Sequence, residues 1–481
     1  MNERLQISKY LRIVSVDNGV AIYHSLRGGL CMVDKDASRL LKVFQTPRTI
    51  GEIAPTFVSQ LPESQIPLLV GIFKLKGFLV SPDYDEYNMV RKRTRMIRSA
   101  LHQGSQIGVI QLVVTNHCNY KCRYCFINDI YITEKRRMLQ VSPTNKCMSP
   151  LMARQAIENV IRIIRENQKD TLTLQFFGGE PLLNWDTIKF VLKYFGNGGK
   201  LGIRINYSIV TNGSLINTEM ADYFLKYDAP VIISLDLSHP VKQLNTSIKT
   251  ATNRIKRILA LLKKNGNKVV FNTVLSKETF DFFEVAIVDF ALEYDVYEIG
   301  VLLDLDLEFY KQKSCSEIVD KLMAVYCYGK SKGVMVTGYW HTIFQRMTNN
   351  NNFQHNSYKT CSATGCQLSI EPSGDTFACK ASSGSFGHIL EIKNLLSSNT
   401  YKEYALRTFR NARECAGCEI EGFCSGVCLG AIEKKYNTIH TIEKNACKVF
   451  KKLVKSLIVV NQNDNIENYR FLTNNKPSVN C

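Results

Sequence analysis

The 16 cysteines are the residues of this 481-residue chain best suited to chemistry, and they are unevenly spaced. Cys118, Cys122 and Cys125 fall as Cys-x3-Cys-x2-Cys on one short stretch. Three thiolates so placed can hold three irons of a cubane cluster and leave the fourth iron open to an outside ligand. Zinc is the competing reading, but three Cys leave it short of the closed tetrahedral set of a structural site. A second group runs through Cys361, Cys366, Cys379, Cys415, Cys418, Cys424, Cys428 and Cys447, with Cys415-x2-Cys418-x5-Cys424-x3-Cys428 at its heart. Cys415-x2-Cys418 alone would read as half of a zinc ribbon, and the density of the group points to metal rather than disulfides in a reducing compartment. Of the other five, Cys31 and Cys327 lie in apolar patterns and read as small buried hydrophobes, whereas Cys147, Cys315 and Cys481 carry no pattern.

Three further motifs follow strand-like segments. Gly178-Gly179-Glu180-Pro181 combines two glycines, which allow close backbone approach, with a carboxylate able to pair with a cationic amine. Thr211-Asn212-Gly213 and the pair Ser234 and Asp236 stand in the same relation to the next two strands. Gly196 to Lys200 lacks the leading Gly and trailing Ser or Thr of a phosphate loop and reads as a helix-to-strand turn.

The elements that must position these residues alternate. Ile107 to Thr115, Leu172 to Phe176, Ile203 to Val210, Val231 to Leu235, Lys268 to Leu275 and Tyr297 to Leu303 are strand-like, with amphipathic helices such as Pro150 to Arg165 and Ala251 to Lys264 between them. Ser149 is an N-cap with Pro150 at the first helical position. Six such units predict a partly closed parallel barrel over residues 96–330, whose active face is the C-terminal end of the strands. Residues 1–95 read as a separate winged-helix-like module. It has strands Leu11 to Val16, Val20 to His24 and Gly29 to Val33, helices Lys35 to Phe44, Thr49 to Val58 and Ser64 to Lys76, and a closing strand Gly77 to Val80. Residues 331–460 lose the alternation and gain the cysteines, and 461–481 is a polar, Asn-rich tail expected to be mobile.

Composition is that of a globular chain, 45% apolar and 22% charged. The net charge of +18 points to an anionic partner such as nucleic acid, a phosphorylated cofactor or an acidic peptide. The apolar runs, such as Leu457 to Val460, are far shorter than the ~18 residues that cross a bilayer, and Met1 to Val16 lacks a signal-peptide core. A soluble, cytoplasmic protein without membrane contact is expected.

The Cys118 loop, with Phe126 directly after Cys125, resembles the signature of the radical S-adenosylmethionine (SAM) superfamily, and the ordered Gly178-Gly179-Glu180 motif strengthens the resemblance. It implies a 4Fe-4S cluster on Cys118, Cys122 and Cys125. It also implies SAM contacts from Phe126, Gly178, Gly179, Glu180, Thr211, Asn212, Ser234 and Asp236. The fourth strand departs from the common Ser-Leu-Asp-Gly-Pro continuation, reading Ser234-Leu-Asp-Leu-Ser-His-Pro240, which implies a different pocket wall. The C-terminal cysteines resemble the SPASM extension of peptide-modifying members. That resemblance implies an inner auxiliary 4Fe-4S cluster on Cys361, Cys366, Cys379 and Cys428, and an outer one on Cys415, Cys418, Cys424 and Cys447. With three clusters the net charge falls to roughly +13, still basic. Residues 1–95 resemble the PqqD-like element that binds leader peptides by strand addition, with Gly29 to Val33 and Ser64 to Lys76 as the candidate surface.

Together these imply an α/β protein of three parts. The expected activity is that of a peptide maturase, which installs a thioether or a carbon-carbon or ether cyclophane cross-link in a ribosomally made precursor after hydrogen abstraction by a 5'-deoxyadenosyl radical. The expected partners are that precursor and a flavodoxin- or ferredoxin-type electron donor. The catalytic base is not identified. An anaerobic sulfatase-maturating enzyme is the alternative, but its family keeps an Asp after the third inner-cluster Cys, where this chain has Lys380, expected to be dispensable. A winged-helix nucleic-acid-binding metalloprotein is the non-enzymatic alternative, and it leaves Gly178 to Glu180 unexplained.

Overall fold

The computed structural model describes residues 3–17, 19–57, 65–122, 125, 147–235, 242–243, 248–348, 360–407, 413–463 and 467–469. Its centre is a ten-stranded sheet. In chain order the strands are β1 (Val109–Thr115), β2 (Thr171–Gly178), β3 (Arg204–Thr211), β4 (Val231–Ser234), β5 (Val269–Leu275), β6 (Glu298–Leu303), β7 (Met335–Thr337), β8 (Gln367–Ile370), β9 (Asp375–Phe377) and β10 (Ser385–His388). β1 to β7 lie side by side and parallel in sequence order. Along β2 and β3 buried residues alternate with half-buried ones, apart from the exposed Arg204, the mark of strands whose faces differ in cover. The crossover helix Pro150–Glu166 forms where expected. Ser149 caps it by accepting from the Met152 N–H at 3.1 Å, and a stripe from Ala153 through Ile157 and Val160 to Ile164 faces the core.

Two features of the sheet depart from the sequence reading. β7 adds a seventh parallel strand beyond residue 330, and β8 pairs in parallel with the far side of β1, followed by antiparallel β9 and β10. The cysteine-rich region is therefore continuous with the parallel sheet. β8 is only Gln-Leu-Ser-Ile, buried throughout, so neither alternation nor an apolar run marks it. Gly196 caps the helix Trp185–Phe195 ahead of β3, which accords with the turn reading of Gly196 to Lys200.

The first 80 residues form the expected elements: antiparallel strands Leu11–Val16, Gly19–His24 and Gly28–Val33, then helices Lys35–Val43, Ile50–Phe57 and Gln65–Leu75, with Leu79–Val80 pairing back to Gln6–Ile7. Period-2 alternation gives this small sheet two apolar faces. Ile22, Cys31 and Val33 join Leu40, Phe44, Ile53, Phe73 and Phe78 in a local core, whereas Ala21, Tyr23, Leu30 and Met32 point into the core of the main body. The docking is close: the Gly422 N–H donates to the Ser25 carbonyl at 2.8 Å, and a Cβ on Gly28 would meet the Met347 carbonyl oxygen at 2.8 Å. The expected open edge at Gly28–Val33 is occupied, because Glu467–Tyr469 pairs with it in parallel, Glu467 opposite Cys31 and Tyr469 opposite Val33. This part of the tail forms a short strand. Among the described residues, the sheet's other edge is Leu11–Val16.

Candidate iron-sulfur and cofactor site

The Cys118 loop leaves β1 at its C-terminal end and is fixed by backbone, not by packing. The Thr115 carbonyl accepts from Gly179 N–H at 2.9 Å, and the His117 carbonyl from Glu180 N–H at 2.7 Å. These contacts require the two glycines: a Cβ on Gly178 would meet the Thr115 carbonyl oxygen at 2.3 Å and one on Gly179 the His117 oxygen at 2.2 Å. Gly178 also has φ +156. The glycines thus press the second loop onto the cysteine loop. Within the loop, Tyr120 N–H donates to Cys118 Sγ at 3.3 Å, and Cys125 N–H to the Cys122 carbonyl at 3.2 Å. Lys121–Cys122 pairs with Lys242–Gln243, the segment that follows β4. Burial raises the Cys118 thiol above its usual range, and the neighbouring Glu180 and Cys125 add to it.

Glu180 joins three strands' ends. Its carboxylate is fully buried and accepts from Leu182 N–H at 3.1 Å, Thr211 Oγ1 at 2.6 Å and Asn212 N–H at 2.7 Å. Burial holds its pKa above the ordinary carboxylate range against the pull of those donors. Asn212 extends the network: its side-chain amide donates to Asn119 Oδ1 at 2.9 Å, and Asn119 donates to Ser214 Oγ at 2.9 Å. The structure therefore brings together Cys118, Cys122, Cys125, Gly178, Gly179, Glu180, Thr211 and Asn212. Ser234 ends β4, half-buried beside this group of strand ends. Phe126 and Asp236 lie outside the described residues. Asn119 and Ser214 were missed in the sequence, where a lone Asn in a loop and a Ser after Asn-Gly carry no signal.

The C-terminal cysteines separate into two neighbourhoods. Cys361 is pushed well up by burial and by Cys379, Cys428 and Cys366 beside it, and Cys379 is pushed up to about 12 by burial with Cys428 next to it. Cys447 is pushed up to about 12 by burial and by Cys424, Cys415 and Cys418. Among the described residues no three such side chains converge tightly enough to grip one metal ion. A cubane spreads its four thiolates more widely than a single ion does. Around the first neighbourhood the hydroxyls of Tyr339, Tyr401 and Ser383 are buried without a hydrogen-bond partner among the described residues. Buried donors without acceptors are costly, about 1–3 kcal/mol each, so the donor set fits a group with acceptor sulfurs between the thiols.

Lys380, beside Cys379, is held in a buried ion pair. Its ammonium, 5% exposed, donates to Glu371 Oε1 at 3.0 Å and Asn116 Oδ1 at 2.5 Å, and Asn116 Nδ2 donates to Glu371 Oε2 at 3.0 Å. This triad ties the Cys379 loop to the residue two before Cys118.

A parallel sheet with a Cys-x3-Cys-x2-Cys loop and a Gly-Gly-Glu loop pinned together at its strand ends is the architecture of an enzyme that cleaves SAM at an open iron. Residues 112–287 match the Radical SAM superfamily, and the chain belongs to that superfamily. It is 45% identical over 464 residues to the radical SAM cyclopropyl synthase TigE of Paramaledivibacter caminithermalis, across 95% of this chain and 97% of that one. It is 25% identical over 342 residues to a cysteine-type anaerobic sulfatase-maturating enzyme of Clostridium novyi, covering 65% and 85% of the two chains. In fold it is similar to Streptococcus suis SuiB bound to precursor peptide SuiA, with a TM-score of 0.52 and 16% identity over 92% of this chain and 99% of that one. Membership of the radical SAM superfamily sets aside the non-enzymatic reading. Among the described residues no helix is long and apolar enough to cross a membrane.

Proposed function

We propose that this radical SAM enzyme is a peptide maturase that closes a carbon-carbon bond, a cyclopropane ring, within a side chain of a ribosomally made precursor. The similarity to a named cyclopropyl synthase over nearly the whole of both chains carries this reading. It narrows the expected cross-link to a ring formed within the peptide, without sulfur. When bound, SAM and the cluster on Cys118, Cys122 and Cys125 supply a 5'-deoxyadenosyl radical. Gly178 and Gly179 hold the SAM-facing loop against the cysteine loop, Glu180 locks it to Thr211 and Asn212, and Ser234, Phe126 and Asp236 complete the cofactor's surroundings. The C-terminal region is a SPASM domain with an inner cluster on Cys361, Cys366, Cys379 and Cys428 and an outer one on Cys415, Cys418, Cys424 and Cys447. The two thiol neighbourhoods support that division. The first 95 residues bind the leader, and a flavodoxin- or ferredoxin-type protein supplies electrons.

Ring closure removes two hydrogens from the substrate, one as an atom and one as a proton plus an electron, and Cys-ligated clusters are suited to take that electron. The sulfatase-maturating alternative has lower identity over less of the chain and meets Lys380 paired to Glu371 where its base should stand. The test is anaerobic incubation with the precursor peptide encoded beside the gene. Deoxyadenosine release, a peptide lighter by two hydrogens and cyclopropyl proton resonances are expected. Formylglycine in a cysteine-containing sulfatase peptide, with no change in the precursor, would overturn the reading.

A further inference from the structure

Between the two neighbourhoods of C-terminal thiols runs the segment Cys424 to Cys428, with Cys424 on one side and Cys428 on the other. Its middle runs through positive φ, which Gly426 (φ +92) takes freely and which strains the β-branched Val427 (φ +70). Gly426 makes room for a cation, since a Cβ there would stand 2.9 Å from Arg407 Nη2. Arg407 is 1% exposed, and its Nε donates to the Ile439 carbonyl at 3.0 Å. The groups of opposite charge that act on it are Cys415, Cys424, Cys361 and Glu414, so its charge is felt by both neighbourhoods. A buried guanidinium is stable only beside anionic charge, which thiols provide when they are ligating thiolates.

Tyr339 lies near the same thiols. It opens the helix Tyr339–Thr348, and its ring meets Phe450 edge-on at 5.0 Å on the helix that carries Cys447. Its hydroxyl is buried with no hydrogen-bond partner among the described residues, and Cys424, Cys428 and Cys361 are close enough to act on it electrostatically.

We infer that Arg407 and Tyr339 form a polar junction between the two auxiliary clusters, the guanidinium and the phenol O–H both aimed at sulfur, and that together they raise the clusters' reduction potentials. Resting on the SPASM reading above, this assigns a role to two residues outside the ligand sets. A cation and a hydrogen-bond donor each favour the more negative, reduced cluster. The step served is the second half of ring closure. The substrate gives up one electron, an oxidised auxiliary cluster is reduced by one, and an iron-sulfur or flavin protein later reoxidises it, while the proton goes to water. Both residues act through the clusters, as positioning residues.

The test uses the full-length chain reconstituted anaerobically, with iron content and auxiliary-cluster potentials followed by EPR during redox titration. Tyr339→Phe removes one oxygen from a packed ring, so it should keep about twelve irons while at least one auxiliary potential moves to a more negative value. Arg407→Gln should move it further and Arg407→Lys less. Should Arg407→Gln fail to fold, Tyr339→Phe alone decides. About twelve irons in Tyr339→Phe with unmoved potentials overturns the inference and leaves the SPASM reading intact. About four irons in the unaltered chain overturns that reading and the inference with it.

Discussion

Glu180 shows how a ligand residue can also be a structural one. Its side chain answers three donors from two different strand ends while fully buried, so Glu180→Ala should leave those donors unpaired as well as stripping the proposed amine contact. SAM affinity measured by equilibrium dialysis should fall more than roughly tenfold, the loss of a charge-assisted bond of about 1.5 to 3 kcal/mol. Lys380→Ala should destabilise the fold by about 3 to 5 kcal/mol in chemical denaturation, because it strands a buried Glu371 carboxylate. Pairing it with Glu371→Gln should recover much of that loss; a double variant no more stable than the single would show that the pair does not act as one unit. Asp304, just past β6, offers a pH test. Burial raises it to about 6 although the Lys277 and Asp306 N–H groups oppose the rise. A pKa above the unfolded value of 3.8 means the folded chain holds the proton more tightly, so this contribution to stability is present below pH 3.8 and fades as pH rises through about 6. Asp304→Asn should therefore gain on the unaltered chain between pH 4 and 7, by about 3 kcal/mol at most. A difference between the two that stays flat with pH would refute it.

At the scale of elements, the N-terminal sheet is decided by its edge. The strand-like runs at Gly19–His24 and Gly28–Val33 predict a sheet because such signals are local. Which strand lies beside Gly28–Val33 is a question of long-range pairing, and the chain's own Glu467–Tyr469 takes that place. If a leader adds to the same edge, the tail competes with it, and the apparent affinity is lowered by the fraction of chains whose edge is covered. Truncation after residue 463 should then tighten precursor binding severalfold in fluorescence anisotropy. Weaker binding would mean that the tail helps to hold the leader.

For the whole molecule, the parallel-sheet and cysteine-rich regions share the ten-stranded sheet, while the N-terminal region has its own sheet and local core and turns a second apolar face into the main core. Tyr23, Leu30 and Met32 of the N-terminal sheet pack with residues of the cysteine-rich region, so deleting residues 1–95 should expose apolar surface and lower solubility rather than leave an intact barrel. A clean, soluble deletion with normal iron would contradict this packing. Iron analysis addresses the cluster count: about twelve per chain when reconstituted, and about eight when Cys118, Cys122 and Cys125 are all replaced by Ala. Zinc in the C-terminal sites would refute it.

What the sequence determined by itself was whatever depends on spacing along the chain. The cysteine loop, the Gly-Gly-Glu motif after β2, the alternation of strands and helices and the cap at Ser149 are encoded within windows of a few residues, where period and turn chemistry act directly. Tertiary structure alone decided which distant groups meet. Lys380 finds Asn116 across 264 positions, and Gly179 presses on His117 across 62. Arg407 reaches the Cys424 to Cys428 loop from a helix end with no motif of its own, and β8 joins β1 through four residues without any periodic signal. Such contacts are selected by burial and by the need to pair every buried polar group, conditions that exist only once the chain is folded.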